Sequence, residues 1–491
     1  MFIEKIMNLQ DNNITCFDNK KELSYSQIYL WACEIKNLLQ NVANKGDRIV
    51  IFMDNSLEVI VSIFSIILSN MVLVPLSIKS PKRIIEEKLN MVNSTVVICD
   101  DESEKIISDI NLNLNVININ TKTFCKLGSN INNNCMDNFN NEFLILFTSG
   151  TTGKIKAVVH TETAIINNIE AVLDYMKLTP KDMCFISKEY YHCSTFISEI
   201  LLCIFDGVAL FISSVKIPFN KNLNLASQLN CSIMFLNPTI LKFTCFSKNK
   251  NVNYYNFKLI ITSGEVLNHT LYEEIGMTFP NANLLNVYGL TEAGPRVCAQ
   301  RLDKASTPGS VGYPINGVEV RLIDDYFVNE YKAGELLVKS NSLMKCYLGN
   351  SEETLSKYKD GWLKTGDIAY INENNEVFIL GRIDDMIIRG SRNINPTHIE
   401  NALLNHPDIN DVLVFGYKDK MFGEKIICIY EGKTQINRKI IYEFCKDYIE
   451  DYEFPQEFIR IKKIPKTTNG KKSRKKAREI YESKNKCGYS C

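Results

Sequence analysis

Within the first hundred residues, short apolar runs of strand length alternate with longer stretches whose apolar positions recur at helical spacing. That alternation restricts the chain to few folds. SYSQIYLWACEIKNLLQNV (24–42) places apolar residues three and four apart behind a serine suited to cap a helix. RIVIFM reads as a short strand, LEVIVSIFSIIL as a helix, and VLVPL and TVVICD as strands. Strands interleaved with helices argue for an α/β fold, parallel sheets covered by helices in αβαβα layers. At 491 residues the chain exceeds one ordinary core, so at least two domains are expected. Past Thr307 the pattern changes to strand pairs, VEVRLID, GELLVKS and EVFIL, which predict a small β-rich subdomain. A boundary at Arg382 to Asp385 separates a large domain, 1–383, from a compact α+β domain, 384–491. There NPTHIENALLNHP and 439–448 read as helices, and DVLVFGY and EKIICIYEG as strands.

Apolar residues make up 45% and charged residues 23%, a soluble globular composition. Lysine plus arginine (56) equals aspartate plus glutamate (56), so no global field argues for nucleic acid or an anionic membrane. The 16 cysteines form no paired Cys-x-x-Cys ligand set. Cys203, Cys231 and Cys428 read as small core hydrophobes in a reduced cytosol, whereas Cys487 and Cys491 sit in a polar tail. Glu58, Ser62, Ser65, Ser69 and Asn70 interrupt the apolar stretch 57–75, which predicts a buried helix and strand in place of a membrane span. Met1 to Asn12 lacks the apolar core of a signal peptide, so a cytoplasmic protein is expected. The asparagine-rich stretch 111–141 predicts exposed loops around a few short strands.

Residues 147–160, FTSGTTGKIKAVVH, form a hydroxyl- and glycine-rich loop between two apolar runs, a tight connection between strands. Gly150 and Gly153 let backbone N–H groups approach an anion, and Thr148, Ser149, Thr151 and Thr152 add four hydroxyls. Lys154 and Lys156 add charge that phosphate oxygens can use. The spacing is not that of a Walker A loop, and a plain polar hairpin turn is the competing reading.

Further strings follow in order: TSGE (262–265), NVYGLTEAG (286–294), GWLKTGD (361–367), GRIDDMIIRG (381–390) and PKTTNGKKSRKKAR (465–478). With the loop, they resemble the adenylate-forming superfamily of acyl- and aryl-CoA synthetases, peptide-synthetase adenylation domains and luciferases. The resemblance runs from about Tyr25 to about Arg478. It implies ATP-dependent activation of a carboxylic acid to an acyl-adenylate, release of pyrophosphate, and transfer to a pantetheine thiol. Both reactants are anions and the carboxylate is already ionised, so the chemistry asks for charge neutralisation and in-line geometry and no general base.

By resemblance, Thr148, Ser149, Gly150, Thr151, Thr152, Gly153 and Lys154 hold the β- and γ-phosphates. Thr291 meets the α-phosphate, and Glu292 meets Mg²⁺ with Thr151. Asn286, Val287, Tyr288 and Gly289 take the adenine, with Ser263, Gly264 and Glu265 as a wall. Asp367 takes the ribose diol and Arg382 a second ribose or phosphate contact. Lys471 is the catalytic lysine, a point charge brought to the carboxylate and α-phosphate. Asp384 is the hinge about which the C-terminal domain rotates before the thiol enters past Gly390. A basic, solvated tail or a nucleic-acid patch is the competing reading of 465–478, whose last eight residues carry six lysines and arginines. The chain departs from the family pattern at Ile155, Ala157, Ser263 and Cys346, small or loop-tolerant changes.

KEYYHCSTFISEI (188–200) aligns with the floor of the acid pocket. His192 follows Tyr191 where amino-acid activators place an aspartate, so a substrate ammonium would stay unpaired. An aryl acid (benzoate, hydroxybenzoate or cinnamate type) is therefore expected, ahead of a fatty or medium-chain acid and of an amino acid. Tyr191, His192, Asn237, Pro238, Gly289, Ala293 and Gly294 are the expected lining. The acceptor is coenzyme A or the phosphopantetheine of a carrier protein. A monomer or homodimer is expected. A non-catalytic adenylate-binding protein is the rival from another class.

Overall fold

The structure, a computed structural model, describes all residues except 111, 128–140, 150–154, 265–266, 268, 305, 329–330, 390–391, 447, 468–471 and 487–491. By contact the chain divides into two units, Met1–Val320 with Val338–Leu363, and Arg321–Leu337 with Lys364–Cys491.

The first unit holds two mixed sheets. The eight-stranded sheet runs in the order Cys346–Tyr347, Ile155–His160, Leu144–Ser149, Val72–Pro75, Arg48–Phe52, Val96–Cys99, Leu114–Asn118, Thr123–Leu127. Its middle pairings are parallel, as the alternating pattern requires, and the outer ones antiparallel. The nine-stranded sheet runs Tyr313–Pro314, Arg296–Ala299, Asn283–Gly289, Leu259–Ser263, Ile233–Leu236, Met183–Ile186, Ala209–Ile212, Thr15–Phe17, Glu22–Ser24.

Helices cover the sheets where the periodicity placed apolar residues. Ile85, Leu89, Val92 and Ile107 pack on Val50, Val74, Val97 and Val116 of the eight-stranded sheet. Leu223, Leu241, Leu271 and Ile275 pack on Phe185, Phe211, Met234 and Ile260 of the other. The helix Leu57–Leu68 is buried at every position but Glu58, as an inner layer demands. Its Phe64 stacks on Tyr25, whose hydroxyl donates to the Val208 carbonyl at 2.8 Å. The helix Tyr25–Gln40 begins where expected, with the Ser24 side chain accepting from Gln27 N and Gln27 reaching back. Among the described residues no helix is long and apolar enough to cross a membrane.

The asparagine-rich stretch holds short strands, as expected. Within the asparagine-rich stretch, Leu114–Asn118 is a strand buried at all five positions. The Asn118 amide donates to Asp101 and Glu104 at 2.9 and 2.6 Å. A satisfied asparagine can close a buried sheet end.

Val318–Val328, Tyr331–Ser340, Trp362–Ile371 and Val377–Arg382, which lie largely in the second unit, share a sheet in which the last two pair antiparallel. A second sheet orders Arg392–Ile394, Ile387–Arg389, Gly423–Gly432 and Ile409–Asp419, with Glu457–Arg460 parallel to Gly423–Gly432. The helices Pro396–Leu404 and Arg438–Cys445 pack on it through Ile399, Leu403, Ile441 and Cys445.

A buried ion pair fixes the approach to the glycine-rich loop. Arg48 Nε and Nη2 donate to the two carboxylate oxygens of Glu142 at 2.9 and 3.1 Å, with both side chains under 10% exposed. Arg48 Nη1 also donates to the Val92 carbonyl. Glu142 stands just before Leu144–Ser149, so the pair joins the start of that strand to the sheet centre. We predict that Glu142→Leu, by stranding a buried guanidinium, lowers stability by about 3–5 kcal/mol. Urea denaturation checks this; a loss below 1 kcal/mol would show that the pair is dispensable.

Candidate active site

Four of the strings read from the sequence stand at the carboxyl ends of adjacent parallel strands. Asn286 to Gly289 end one strand, and Ser263 ends its neighbour, with Gly264 next. Asn237 and Pro238 follow Ile233–Leu236, and Tyr191 and His192 follow Met183–Ile186. The chain turns away into helices at such ends and leaves a crevice where ligands sit. Some of these residues also have structural duties. Asn237 Oδ1 caps the helix Pro238–Phe246 by accepting from Ile240 N at 2.8 Å. Asn286 is 3% exposed, and its Nδ2 donates to the Ser310 carbonyl at 2.9 Å. Glu265 lies outside the described residues.

The root of the glycine-rich loop is an antiparallel hairpin, Thr148 opposite Lys156 and Ser149 opposite Ile155. Gly150, Thr151, Thr152, Gly153 and Lys154 lie outside the described residues. The exit strand, Ile155–His160, is held from its other side by Cys346–Tyr347, with Lys345 N and Leu348 N donating to Val159 and Ala157 at 2.8 Å. This seating aims Tyr347 at the Thr-Glu string. Its hydroxyl donates to Glu292 Oε1 at 2.7 Å, while Met344 N donates to the Glu292 carbonyl at 2.9 Å. Lys156 pairs with Glu353 and lies 5.0 Å from the Tyr347 ring centre. His160 Nε2 stands 2.9 Å from the Thr291 carbonyl. A carbonyl only accepts, so Nε2 carries the proton.

The loop root and Thr291-Glu292 are thus brought together, although the contacts span 131 and 55 residues. Sequence reasoning missed Tyr347 and His160, because no local spacing announces partners so distant. Glu292 Oε2 has no hydrogen bond among the described residues. One available carboxylate oxygen fits Mg²⁺, which keeps several waters and is usually held by only one or two protein carboxylates.

Gly289 and Gly294, expected to line the acid pocket, have a structural reason to be glycine. A Cβ at Gly289 would lie 1.9 Å from the Pro295 carbonyl oxygen. At Gly294, φ is +80°, and a Cβ would lie 2.4 Å from the Ser342 carbonyl oxygen. Ala293 between these constraints is buried.

The 188–200 segment is rigidly seated. Tyr190 is buried, and its hydroxyl donates to the Ile51 and Leu76 carbonyls at 2.7 and 3.0 Å. Tyr191 is partly buried, which pushes its phenol up to about 12, and its ring centre lies 4.8 Å from that of His192. His192 Nε2 stands 3.4 Å from Glu189 Oε2. That histidine first, and Lys79 after it, hold the Glu189 carboxyl down at about 2. The chain then enters a π-helical stretch, Phe196–Leu201, a local widening that recurs at functional sites. There the fully buried Glu199 is paired with Lys188 at 2.6 Å.

In the second unit Asp367 and Arg382 are cross-strand partners, Arg382 Nη1 donating to Asp367 Oδ1 at 3.1 Å. Asp384 is exposed on a short 3-10 turn, Ile383–Asp385. Lys471 lies outside the described residues, but the chain on either side of 468–471 is anchored. Lys466 bridges Lys472, Ser473 N donates to the Pro465 carbonyl, and Lys472 pairs with Asp411 at 2.6 Å. Arg474 reaches Glu400 at 2.6 Å and Asp385 at 3.1 Å. Burial raises the Glu400 carboxyl, and the Arg474 charge opposes the rise.

His160 generates a prediction. Burial lowers its pKa from 6.5 to about 4, against the smaller opposing effect of its bond to Thr291. The unfolded chain therefore takes the proton first as pH falls, and stability present above pH 6.5 is lost progressively toward pH 4. Between pH 7 and pH 5 this histidine should account for about 2 kcal/mol of lost stability. Urea denaturation of the wild type and His160→Gln at both pH values measures the difference. Equal losses in both proteins would refute it.

The AMP-binding enzyme family matches residues 4–348, and the C-terminal domain of AMP-binding enzymes matches residues 398–471. A probable CoA ligase of Humulus lupulus is 26% identical over 351 residues, spanning 69% of this chain and 66% of that protein. The long-chain-fatty-acid–CoA ligase FadD13 of Mycobacterium tuberculosis is 25% identical over 474 residues, spanning 94% and 93%. The Bacillus subtilis o-succinylbenzoate CoA synthetase MenE, solved with its acyl-adenylate intermediate, shares the fold with a TM-score of 0.83 at 20% identity, covering 100% of this chain and 98% of that one. The chain belongs to the AMP-binding enzyme family, and with it to the adenylate-forming superfamily of AMP-forming acid–thiol ligases.

Proposed function

We propose that this ligase activates an aryl acid with ATP and passes the acyl group to the thiol of coenzyme A or of a carrier-protein phosphopantetheine. In the first half-reaction the substrate carboxylate attacks the α-phosphorus and the bond to pyrophosphate breaks. In the second, the thiol sulfur attacks the acyl carbon, AMP leaves, and the thiol proton passes to solvent. The observation that carries this reading is the bonding of the loop's exit strand to Thr291 and Glu292 through His160 and Tyr347. It supports a phosphate loop and a metal-binding carboxylate acting at one place.

Thr148 to Lys154 would cradle the β- and γ-phosphates, and Thr291 would meet the α-phosphate. Glu292, oriented by Tyr347, would hold Mg²⁺ with Thr151. The bound ion supplies positive charge against the phosphates. Asn286, Tyr288 and the Ser263-Gly264 turn would seat adenine, and the Asp367–Arg382 pair would meet the ribose. The anchored chain flanking 468–471 supports a role for Lys471 as the cation that quenches repulsion between carboxylate and α-phosphate. Asp384, exposed on its short turn, suits a hinge between domains 1–383 and 384–491. Tyr191 and His192 favour an aryl acid, because the carboxylate beside them, Glu189, is already engaged by His192 and Lys79 and leaves no partner for an ammonium.

Pyrophosphate exchange into ATP across aryl, aliphatic and amino acids is expected to be fastest with an aryl acid. Exchange with none of them would refute the ligase. Lys471→Ala is expected to lower adenylate formation by about 10²-fold or more, while thioester formation from a supplied acyl-adenylate continues. Equal loss of both half-reactions would overturn the role given to Lys471.

A further inference from the structure

Two residues beyond Gly294, the strand Arg296–Ala299 opens with a cation that no carboxylate pairs with among the described residues. Arg296 is 3% exposed. Its backbone stands opposite Gly289, a position with no side chain to compete for that face of the sheet. Its Nη2 donates to Ser194 Oγ at 3.1 Å, and its Nε has no partner among the described residues. The nearby carboxylates are committed elsewhere. Glu199 Oε1 lies 3.5 Å from Ser194 Oγ but is held by Lys188 at 2.6 Å, and Glu292 Oε1 accepts from Tyr347. On the segment that carries Ser194, Thr195 Oγ1, Ser198 Oγ and Glu199 Oε2 are buried and unpartnered among the described residues. The guanidinium is close enough to Tyr175 to oppose the rise that burial imposes on its phenol.

A buried guanidinium left without an anion is costly, and its planar fork of donors matches a carboxylate or sulfonate. The position is also informative. Arg296 follows Glu292 by four residues, and its guanidinium touches Ser194 of the 188–200 segment, which the family resemblance aligns with the floor of the acid pocket. We propose that Arg296 is a specificity-determining residue that binds a second anionic group on the substrate. The acid is then a dicarboxylate, or an aryl acid bearing a carboxylate or sulfonate at a distance from the reacting group. This rests on the ligase reading above and narrows it.

The test is pyrophosphate exchange with isophthalate and terephthalate against their monomethyl esters and benzoate, in wild type, Arg296→Met and Arg296→Lys. The wild type is expected to prefer the diacids in kcat/KM by on the order of 100-fold, because the esters leave the guanidinium unpaired. Arg296→Met is expected to collapse that ratio to within about threefold, chiefly through KM for the diacids, and Arg296→Lys to retain part of it. A wild-type ratio near one, or a ratio that survives Arg296→Met, overturns the assignment while leaving the ligase standing. Exchange with no acid removes the ligase and the assignment together. Should Arg296→Met fail to fold, the wild-type ratio and its change in Arg296→Lys decide the matter.

Discussion

Much of the first unit depends on a single strand being paired along both edges. Ile155–His160 takes the Leu144–Ser149 ladder on one side and Cys346–Tyr347 on the other. Backbone donors and acceptors in a buried strand must be matched, so its register cannot slip without stranding several of them. That register fixes the root of the glycine-rich loop, turns His160 to the Thr291 carbonyl and presents Tyr347 to Glu292. A loop able to bind phosphate and a carboxylate able to bind a hard cation gain a fixed relation through backbone pairing, with no direct contact between them required.

Several buried charges are paired with an opposite charge, while Asp18 and Glu335 are satisfied by backbone N–H groups. Arg48 and Glu142, Lys188 and Glu199, and Arg474 and Glu400 are each paired within hydrogen-bonding distance. Each pair ties elements far apart in sequence, as expected when charges enter a low-dielectric interior only in company. Arg296, which contacts Ser194 of the segment following Met183–Ile186, has neither a carboxylate partner nor a bonded Nε among the described residues.

The alternation of patterns made the layered α/β fold legible, since a strand buried on both faces and a helix buried on one leave different apolar periods. The Ser24 cap and the hairpin at 148–156 were equally readable, being local chemistry. The short strands of the asparagine-rich stretch were readable, but not that one is buried, because asparagine content does not say whether the amides find partners; Asn118 does. Nor was it readable that backbone from Pro295 and Ser342 passes too close to Gly289 and Gly294 for any Cβ. Such crossings leave no trace in a linear string. Family resemblance pointed to residues within motifs and so passed over Tyr347, His160 and Arg296, which lie outside the motif cores.

The amino-acid order alone determined the kinds of element, the order of the motifs and the class of chemistry they serve, because periodicity, capping and short polar strings act over a few residues. Tertiary structure decided which side chains meet. The alignment of four strand ends, the Tyr347–Glu292 and His160–Thr291 contacts and the unpaired state of Arg296 depend on sheet register and on chain crossings 55 to 131 residues apart. Those relations arise from packing and hydrogen-bond closure across the whole unit, which no local window contains.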